Sequence, residues 1–170
     1  MKIIVVSDTH RNFNALKNIV DANQDADMLI HLGDGEDEFD DIERLYPQLP
    51  KVYVCGNCDH GTHKLFHVVT AGGLKIFCCH GHTYRVHDGV EYLVGTAYMN
   101  SCSIALYGHT HLHFTKQVGG VFVMNPGSPS EPRGGNPPTY GILEIVGSGE
   151  VKMSIVELNK HELREDRNSK

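Results

Sequence analysis

The sequence lacks any hydrophobic run long enough to cross a membrane, and its first residues do not have the pattern of a secretory signal peptide. It also lacks a block of basic residues, and its formal net charge is −6 at pH 7. Because a negative chain without a basic patch is not attracted to anionic surfaces, non-specific binding to nucleic acids or membranes is not expected. These absences predict a cytoplasmic protein.

Cysteine is too sparse for a disulfide framework. The chain has five cysteines, an odd number that suits reduced thiols in the cytoplasm. Cys55 and Cys58 form a C-x-x-C pair, but the residues that follow lack the amphipathic helical pattern that a thioredoxin-like redox pair requires. No second C-x-x-C completes a zinc ribbon. A thiol oxidoreductase is therefore a weakly supported alternative.

Glycine-rich nucleotide-binding motifs are also absent. Neither G-x-G-x-x-G nor G-x-x-x-x-G-K-[ST] occurs, so a Rossmann-type nucleotide binder has no support. The chain shows no internal repeat and no interdomain linker. With 170 residues, of which 40% are hydrophobic, it fits one globular domain. We predict a single domain over residues 1–158, followed by a charged tail over residues 159–170.

The sequence does contain a series of short polar motifs, each directly after an apolar, strand-like run. In an open α/β sheet the carboxyl ends of the strands form the rim where ligands bind, so these side chains are expected to meet there. Carboxylate and imidazole ligands together suit manganese, iron, zinc or nickel. Each motif alone is weak evidence, and only the set is specific. In chain order the motifs are Asp8-x-His10, Gly33-Asp34, Gly56-Asn57-x-Asp59, His80-Gly81 and Gly108-His109-x-His111.

Hydrophobic spacing predicts the elements that carry these motifs. Three helices are expected. The first begins near residue 13 with Asn12 or Asn14 as its cap, the second spans residues 36–45, and the third begins at residue 88. In the second helix Phe39, Ile42 and Leu45 are predicted to face inward. Strands are expected at residues 2–6, 27–32, 51–55, 65–70, 74–79, 103–107, 140–146 and 151–158, with another hairpin across residues 115–124.

The five motifs in this order resemble those of the calcineurin-like metallophosphoesterase superfamily, and especially of its small single-domain bacterial and archaeal phosphodiesterases. The resemblance spans residues 1 to about 158 and includes the loop Asn125-Pro126-Gly127-Ser128. It implies an α/β fold, a four-layer α-β-β-α sandwich in which two mixed β-sheets are flanked by helices. It also implies a dinuclear metal site at one rim.

The resemblance implies a role for each motif residue. One divalent ion would bind Asp8, His10 and His111, the other would bind Asn57, His80 and His109, and Asp34 would bridge them. Manganese is the expected metal, and nickel, iron, zinc and magnesium are alternatives. Together the metals would activate a water molecule to hydrolyse a small phosphodiester. The candidate catalytic residues are Asp34, Asn57, Cys58, Asp59 and His109.

One position departs from the pattern of the superfamily. Many members have histidine between the asparagine and the acid of the third motif, and that histidine is thought to protonate the leaving group. Here the residue is Cys58. Because a thiol with its ordinary pKa of about 8.5 is a poor acid and a weak hydrogen-bond donor, we predict cleavage of diesters with good leaving groups and weak activity on monoesters.

The main alternative to an enzyme is a metal-binding scaffold that acts through protein partners, and the missing motif histidine keeps this alternative open. Three arginines are candidate phosphate contacts: Arg11, Arg85 and Arg133. For Arg11 a solvated surface position is an equally good interpretation, and for the other two it is the better one. The fold also has exposed faces that allow a homo-oligomer. The remaining histidines are expected to support ligands or to lie at the surface: His31, His60, His63, His67, His82, His87, His113 and His161.

Overall fold

Two five-stranded sheets form the centre of the computed structural model, which describes residues 1–147 and 149–158. The predicted tail over residues 159–170 lies outside the described residues. The elements, in chain order, are β1 (Lys2–Val6), α1 (Phe13–Asp21), β2 (Met28–His31), α2 (Glu36–Leu45), β3 (Lys51–Tyr53), β4 (Phe66–Ala71), β5 (Leu74–Cys79), a 3₁₀ helix (His82–Tyr84), α3 (Glu91–Met99), β6 (Ile104–Leu106), β7 (Phe114–Val118), β8 (Val121–Asn125), β9 (Thr139–Val146) and β10 (Glu150–Glu157).

Both sheets are mixed, as predicted. The first has the order β10-β9-β1-β2-β3, with β1, β2 and β3 parallel to one another and β9 antiparallel to both β1 and β10. The second has the order β4-β5-β6-β8-β7, with parallel strands at its centre and antiparallel strands at both edges. The parallel strands carry the motifs, so their carboxyl ends lie at one rim.

The alternation of side chains along β1 shows how four layers form. Ile3 and Val5 point into the apolar layer between the two sheets, whereas Ile4 and Val6 face the layer under α1 and α2. A third apolar cluster, which includes Leu93 of α3, covers the outer face of the second sheet. Because β1 is buried on both faces, its sequence is a continuous apolar run rather than an alternation of apolar and polar residues. The predicted four-layer sandwich is confirmed.

The boundaries of several elements differ from the prediction. The third strand ends at Tyr53 rather than Cys55, whose backbone N–H bonds instead to the carbonyl of Lys64 in the following loop. Leu45 was predicted to face inward but is 54% exposed, because α2 ends there and Tyr46 packs against the core in its place. Asn12 is the cap of α1, and its side chain accepts a hydrogen bond from the N–H of Ala15 at 3.1 Å.

The described residues contain no helix that combines the length and the apolar character needed to cross a membrane.

Candidate metal centre

Five of the seven predicted ligands lie in tight loops with positive backbone φ angles. The angles are 58° for Asp8, 42° for His10, 56° for Asp34, 68° for His109 and 59° for His111. Residues other than glycine rarely adopt this region, at a cost of about 1–3 kcal/mol each. Strain that is concentrated on one set of metal-ligating side chains marks these loops as a functional site.

The first group of donor atoms lies between the loops after β1 and β6. The Oδ1 atom of Asp8 is 3.3 Å from Nε2 of His111 and 3.8 Å from Nε2 of His10. The two imidazole Nε2 atoms are 3.2 Å apart. Three donor atoms therefore converge on one point, in the arrangement expected for the first metal ion.

The second group lies between β2, the loop after β3, and β5. The Nε2 atom of His80 is 3.1 Å from Oδ1 of Asn57 and 3.4 Å from Oδ2 of Asp34. The same Asp34 oxygen is 3.8 Å from Nε2 of His10, which belongs to the first group. The Oδ2 atom of Asp34 therefore lies between the two groups, where a bridging ligand is needed.

His109 is placed differently from the other predicted ligands. Its half-buried ring lies 5.1 Å from the ring of His80 and 4.8 Å from the ring of His87, measured between centroids. Among the described residues, the triplets whose donor atoms all lie within 4.8 Å of one another do not include it. Its backbone N–H donates to Oδ2 of Asp8 at 3.0 Å. The role of His109 as a ligand stays a prediction.

The imidazoles of His80 and His111 are held in one orientation. Nδ1 of His80 donates to the carbonyl of Leu32 at 2.7 Å, and Nδ1 of His111 donates to the carbonyl of Glu131 at 2.6 Å. Because a carbonyl can only accept, these bonds put the ring proton on Nδ1 and leave the Nε2 lone pair facing the site.

The two carboxylates present free oxygens to the same place. Asp8 is fully buried, and its Oδ1 atom has no hydrogen-bond partner. Oδ1 of Asp34 accepts from the N–H of Cys58 at 2.8 Å, which directs Oδ2 between the two groups of donors. A buried carboxylate oxygen without a donor is costly unless a cation neutralises it. The residues present therefore fit divalent metal ions.

The charges around the site favour ionised carboxylates. Burial raises the pKa of Asp8, but the close approach of His111, whose Nε2 lies 3.3 Å from Oδ1, and the charge of His80 outweigh it and lower that pKa below its ordinary value. Burial likewise opposes the fall in the pKa of Asp34, which is lowered mainly by His80 and the N–H of Cys58. Burial and the neighbouring charges of His80 and His87 lower the pKa of His109 to about 4, which keeps its imidazole neutral.

Two glycines allow the loops to approach the carboxylates closely. A Cβ atom on Gly56 would lie 2.0 Å from Oδ1 of Asp34. One on Gly108 would lie 1.8 Å from Oγ of Ser7 and 2.9 Å from Oδ2 of Asp8. Any side chain at these positions would therefore displace the carboxylates.

Asp59, a predicted catalytic residue, directs its carboxylate at the backbone around Asp34. It accepts from the N–H groups of Asp34 at 2.9 Å, Gly35 at 3.1 Å, Glu36 at 3.3 Å and Gly56 at 2.7 Å. The hydroxyl of Tyr53 donates to it at 2.6 Å. Because Glu36 is the first residue of α2, the negative charge also lies at the favourable end of the helix dipole. Asp59 is therefore placed to position Asp34.

Three further supports of the site were missed in the sequence. The hydroxyl of Ser128 donates to the carbonyl of Asp8 at 2.8 Å, and Asn125 donates to the carbonyl of Gly108 at 2.9 Å. The resemblance of the loop around Asn125 to the superfamily was the only signal for these contacts. The third support, Tyr53, had no signal, because its strand shows only an apolar pattern.

Among the histidines within residues 1–147 and 149–158 that were not predicted as ligands, His31 is the most deeply buried. It lies at the end of β2, accepts from the N–H of Gly33 through Nδ1 at 3.2 Å and contacts the hydroxyl of Thr9 through Nε2 at 3.2 Å. Its ring stacks on Tyr53 with centroids 5.1 Å apart. Burial lowers the pKa of His31 to about 4. It is a structural residue beneath the metal centre.

A cleft of about 400 Å³ opens above the site. Arg11 and Cys58 line it, whereas Arg85 is exposed and forms an ion pair with Asp88 at 3.0 Å. Arg133 is exposed near His111, whose carbonyl accepts from its backbone N–H at 3.2 Å. The cleft wall is otherwise largely acidic: Glu36, Asp37, Glu38, Asp59 and Glu131.

The contacts of Asp59 predict the effect of the substitution Asp59→Asn. Loss of an ionised acceptor for several N–H groups should lower the free energy of unfolding by about 2–3 kcal/mol and weaken Mn²⁺ binding. Tyr53→Phe, which removes one hydrogen-bond donor to Asp59, should lower the free energy of unfolding by about 1 kcal/mol. Urea denaturation and metal titration measure both effects. Unchanged stability and metal affinity with lost turnover would instead give Asp59 a direct part in the chemistry.

The burial of His31 predicts a pH dependence of stability. Below its ordinary pKa of 6.5 the unfolded chain binds a proton that the folded chain binds only near pH 4, so stability should fall as pH drops through this window. The contribution is about 3 kcal/mol when complete. Urea denaturation of metal-free protein at pH 7.5 and pH 5 should show a smaller decrease for His31→Gln than for the exposed-residue control His113→Gln. Equal decreases would contradict the prediction.

Comparison with known proteins places this site in a family. The sequence profile of the calcineurin-like phosphoesterase superfamily domain matches residues 1–148. The chain is 32% identical to phosphodiesterase YfcE of Escherichia coli (strain K12) in an alignment 168 positions long, which covers 85% of this chain and 88% of the relative.

Solved structures agree with the sequence comparison. A conserved protein of Streptococcus pneumoniae TIGR4, described as a predicted phosphoesterase, aligns with a TM-score of 0.80 and 28% identity over 92% of this chain and 88% of that one. Vps29 of Entamoeba histolytica, complexed with Zn²⁺, aligns with a TM-score of 0.70 and 26% identity over 94% of this chain and 100% of that one. The chain belongs to the calcineurin-like phosphoesterase superfamily.

Proposed function

We propose that this protein is a dinuclear metal-dependent phosphodiesterase that hydrolyses small phosphodiesters. The observation that carries the proposal is the position of the Asp34 Oδ2 atom, which lies 3.4 Å from Nε2 of His80 and 3.8 Å from Nε2 of His10. One carboxylate thus faces two separate sets of donors. Divalent metal chemistry is part of this family, and the proposal assigns two ions to the site, with manganese as the expected metal.

The charge of such a site suits a phosphate ester. Two divalent ions opposite the carboxylates of Asp8 and Asp34 leave about two positive charges, which attract phosphate although the whole chain carries −6. When bound, a metal pair supplies an activated water molecule and neutralises charge on the phosphoryl oxygens.

The residues of the chain orient the reacting groups. Carbonyls fix the rings of His80 and His111, and Asp59 fixes the backbone of Asp34. Arg11 lines the cleft, where its guanidinium is available to a phosphoryl oxygen. Because these groups are held in place before substrate binds, little reorganisation is needed during the reaction.

The acidic cleft wall favours diesters over monoesters. Near neutral pH a phosphodiester carries one negative charge and a phosphomonoester carries nearly two, so carboxylates at the rim repel the monoester more strongly. Glu36, Asp37 and Glu131 supply this negative rim. These carboxylates select substrates by charge.

Cys58 limits the leaving groups. Burial, followed by the hydrogen bond and charge of Asp34, raises the pKa of Cys58 to about 11, so the thiol holds its proton firmly. The neutral imidazole of His109 likewise carries no ready proton, since its pKa is lowered to about 4. Esters whose leaving group needs no protonation are therefore the preferred substrates.

The alternative function is a metal-binding module that acts through protein partners. The likeness to Vps29, named for vacuolar protein sorting rather than hydrolysis, supports it, as does Cys58 in place of the motif histidine. The complete set of predicted ligands in this chain favours the enzyme.

Two further proposals concern the chain as a whole. All five cysteines are free, which supports a reducing, cytoplasmic location. Strand β10 ends at Glu157 and Leu158 packs under α1 and α2, which supports a domain that ends near residue 158. A homo-oligomer remains a prediction from the sequence.

The first test is hydrolysis of bis-p-nitrophenyl phosphate and p-nitrophenyl phosphate by metal-free protein reloaded with manganese, nickel, iron, zinc or magnesium. We expect metal-dependent hydrolysis, faster for the diester. Asp34→Asn and His109→Ala should each lower the rate of diester hydrolysis by more than about 100-fold. Replacing a residue that merely supports a metal ligand already lowers activity by about 10–100-fold, and these two substitutions change predicted ligands themselves. His67→Ala on β4 is the matched control. Stoichiometric metal binding without turnover of either ester would favour the protein-binding module.

The second test replaces the thiol by the motif histidine. Cys58→His should raise the rate of monoester hydrolysis by at least about tenfold, because general acid catalysis contributes 10²–10⁴-fold where a leaving group needs a proton. The gain should be larger for glycerol phosphate, which has an alkoxide leaving group, than for p-nitrophenyl phosphate. Cys58→Ser is the control for loss of the thiol. Unchanged rates in Cys58→His would refute the role given to this position.

A further inference from the structure

Cys58 lies at the metal centre rather than at a distance from it. It lines the cleft together with His10 and Asp34, and its N–H donates to Oδ1 of Asp34 at 2.8 Å. It is also the one exposed cysteine of the five, since Cys55, Cys78, Cys79 and Cys102 are all buried.

The thiol completes a set of donors that differs from both predicted metal sites. The sulfur of Cys58, an imidazole nitrogen of His10 and a carboxylate oxygen of Asp34 all lie within 4.8 Å of one another. In a tetrahedral site with bonds of about 2.0–2.3 Å, donor atoms lie about 3.3–3.7 Å apart. A shift of about 1 Å by the exposed Cys58 side chain is enough to close the set.

A neighbouring feature points to a cation next to His10. The Oδ1 atom of the fully buried Asp8 has no hydrogen-bond partner and lies 3.8 Å from Nε2 of His10. This oxygen groups with His10 and His111 rather than with Cys58, but its uncompensated negative charge beside His10 favours a cation bound to that imidazole. The combination of nitrogen, oxygen and sulfur donors is one that zinc and its heavier relatives prefer.

We propose that His10, Asp34 and Cys58 together bind a soft divalent ion, such as Zn²⁺ or Cd²⁺, with the Cys58 sulfur as a thiolate ligand. As the metal–sulfur bond forms, the thiol proton passes to solvent, so each ion bound in this way releases one proton from Cys58. Mn²⁺ and Mg²⁺ prefer oxygen ligands and leave the thiol protonated and unbound.

Coordination by sulfur has a consequence for the reaction, and this consequence rests on the proposed hydrolysis. A catalytic site keeps one position on the metal open, whereas a site filled by protein ligands is closed. Cys58 occupies the cleft side of the ion that binds His10 and Asp34, the side from which substrate arrives. Soft ions bound through Cys58 are therefore expected to inhibit hydrolysis, so that hydrolysis, rather than metal binding, is selective for hard ions.

The test follows the thiol directly. Metal-free full-length protein is loaded with Mn²⁺, Zn²⁺ or Cd²⁺, and two quantities are measured: the rate at which a thiol reagent modifies Cys58, and the ultraviolet charge-transfer absorption of a cadmium–thiolate bond. We expect Zn²⁺ and Cd²⁺, but not Mn²⁺, to slow modification at least tenfold, and Cd²⁺ to give one absorption band per chain. Cys58→Ser should abolish the band, and Cys102→Ser, at a buried thiol, should retain it.

Two outcomes would overturn the proposal: equal modification rates with all three metals, or a band that persists in Cys58→Ser. Diester hydrolysis, measured in parallel, separates this inference from the proposed function. If the band forms but no metal supports hydrolysis, the sulfur site stands and the proposed function fails. If Mn²⁺ supports hydrolysis and no band forms, the proposed function stands and the sulfur site fails.

Discussion

The metal centre depends on two buried carboxylates that lack enough donors of their own. Oδ1 of Asp8 has no hydrogen-bond partner, and Oδ2 of Asp34 faces only imidazole nitrogens. An ionised carboxylate removed from water costs several kcal/mol unless positive charge compensates it. Protonation of His80 and His111 at Nε2 compensates in part, since their pKa values are raised by Asp34 and Asp8 in spite of burial, and a bound metal ion takes the place of these protons. Divalent ions compensate fully, so metal binding is expected to stabilise the fold as well as to equip the site.

The two sheets share the task of holding these charges. Asp8, Asp34 and Asn57 follow β1, β2 and β3 of the first sheet, whereas His80 and His111 follow β5 and β6 of the second. Since the apolar layer between the sheets fixes their separation, it also fixes the distance between oxygen and nitrogen donors. The loop that carries Ser128 links the two sheets. The Ser128 hydroxyl donates to the carbonyl of Asp8 and accepts from the N–H of Glu131, and the carbonyl of Glu131 accepts from His111. A rigid core thus sets the geometry of a site made from strained loops.

The sequence predicted the parts of the site that repeat a local pattern. An apolar strand followed by a polar motif occurs five times, and β1 was predicted with its observed limits, Lys2–Val6. The supporting contacts were not predictable in this way, because they join distant positions: Ser128 to Asp8 across 120 residues, and Asn125 to Gly108 across 17. Leu45 was placed inward by its helical spacing, yet spacing alone cannot show that the helix ends there and Tyr46 packs instead. The role of Asp59 depends on the direction of its side chain, which a motif does not specify.

Cys58 connects substrate choice with metal choice. Its N–H orients Asp34, its thiol with a raised pKa is a poor proton donor, and its sulfur lies among donors that bind soft ions. The acidic rim acts in the same direction as the weak acid, because it disfavours the dianionic monoesters that would most need a proton for their leaving group. A histidine at this position would supply a better proton donor but would leave the acidic rim unchanged. The rim and the thiol are therefore separate determinants, and the preference for diesters is expected to weaken, without reversing, when only Cys58 is replaced.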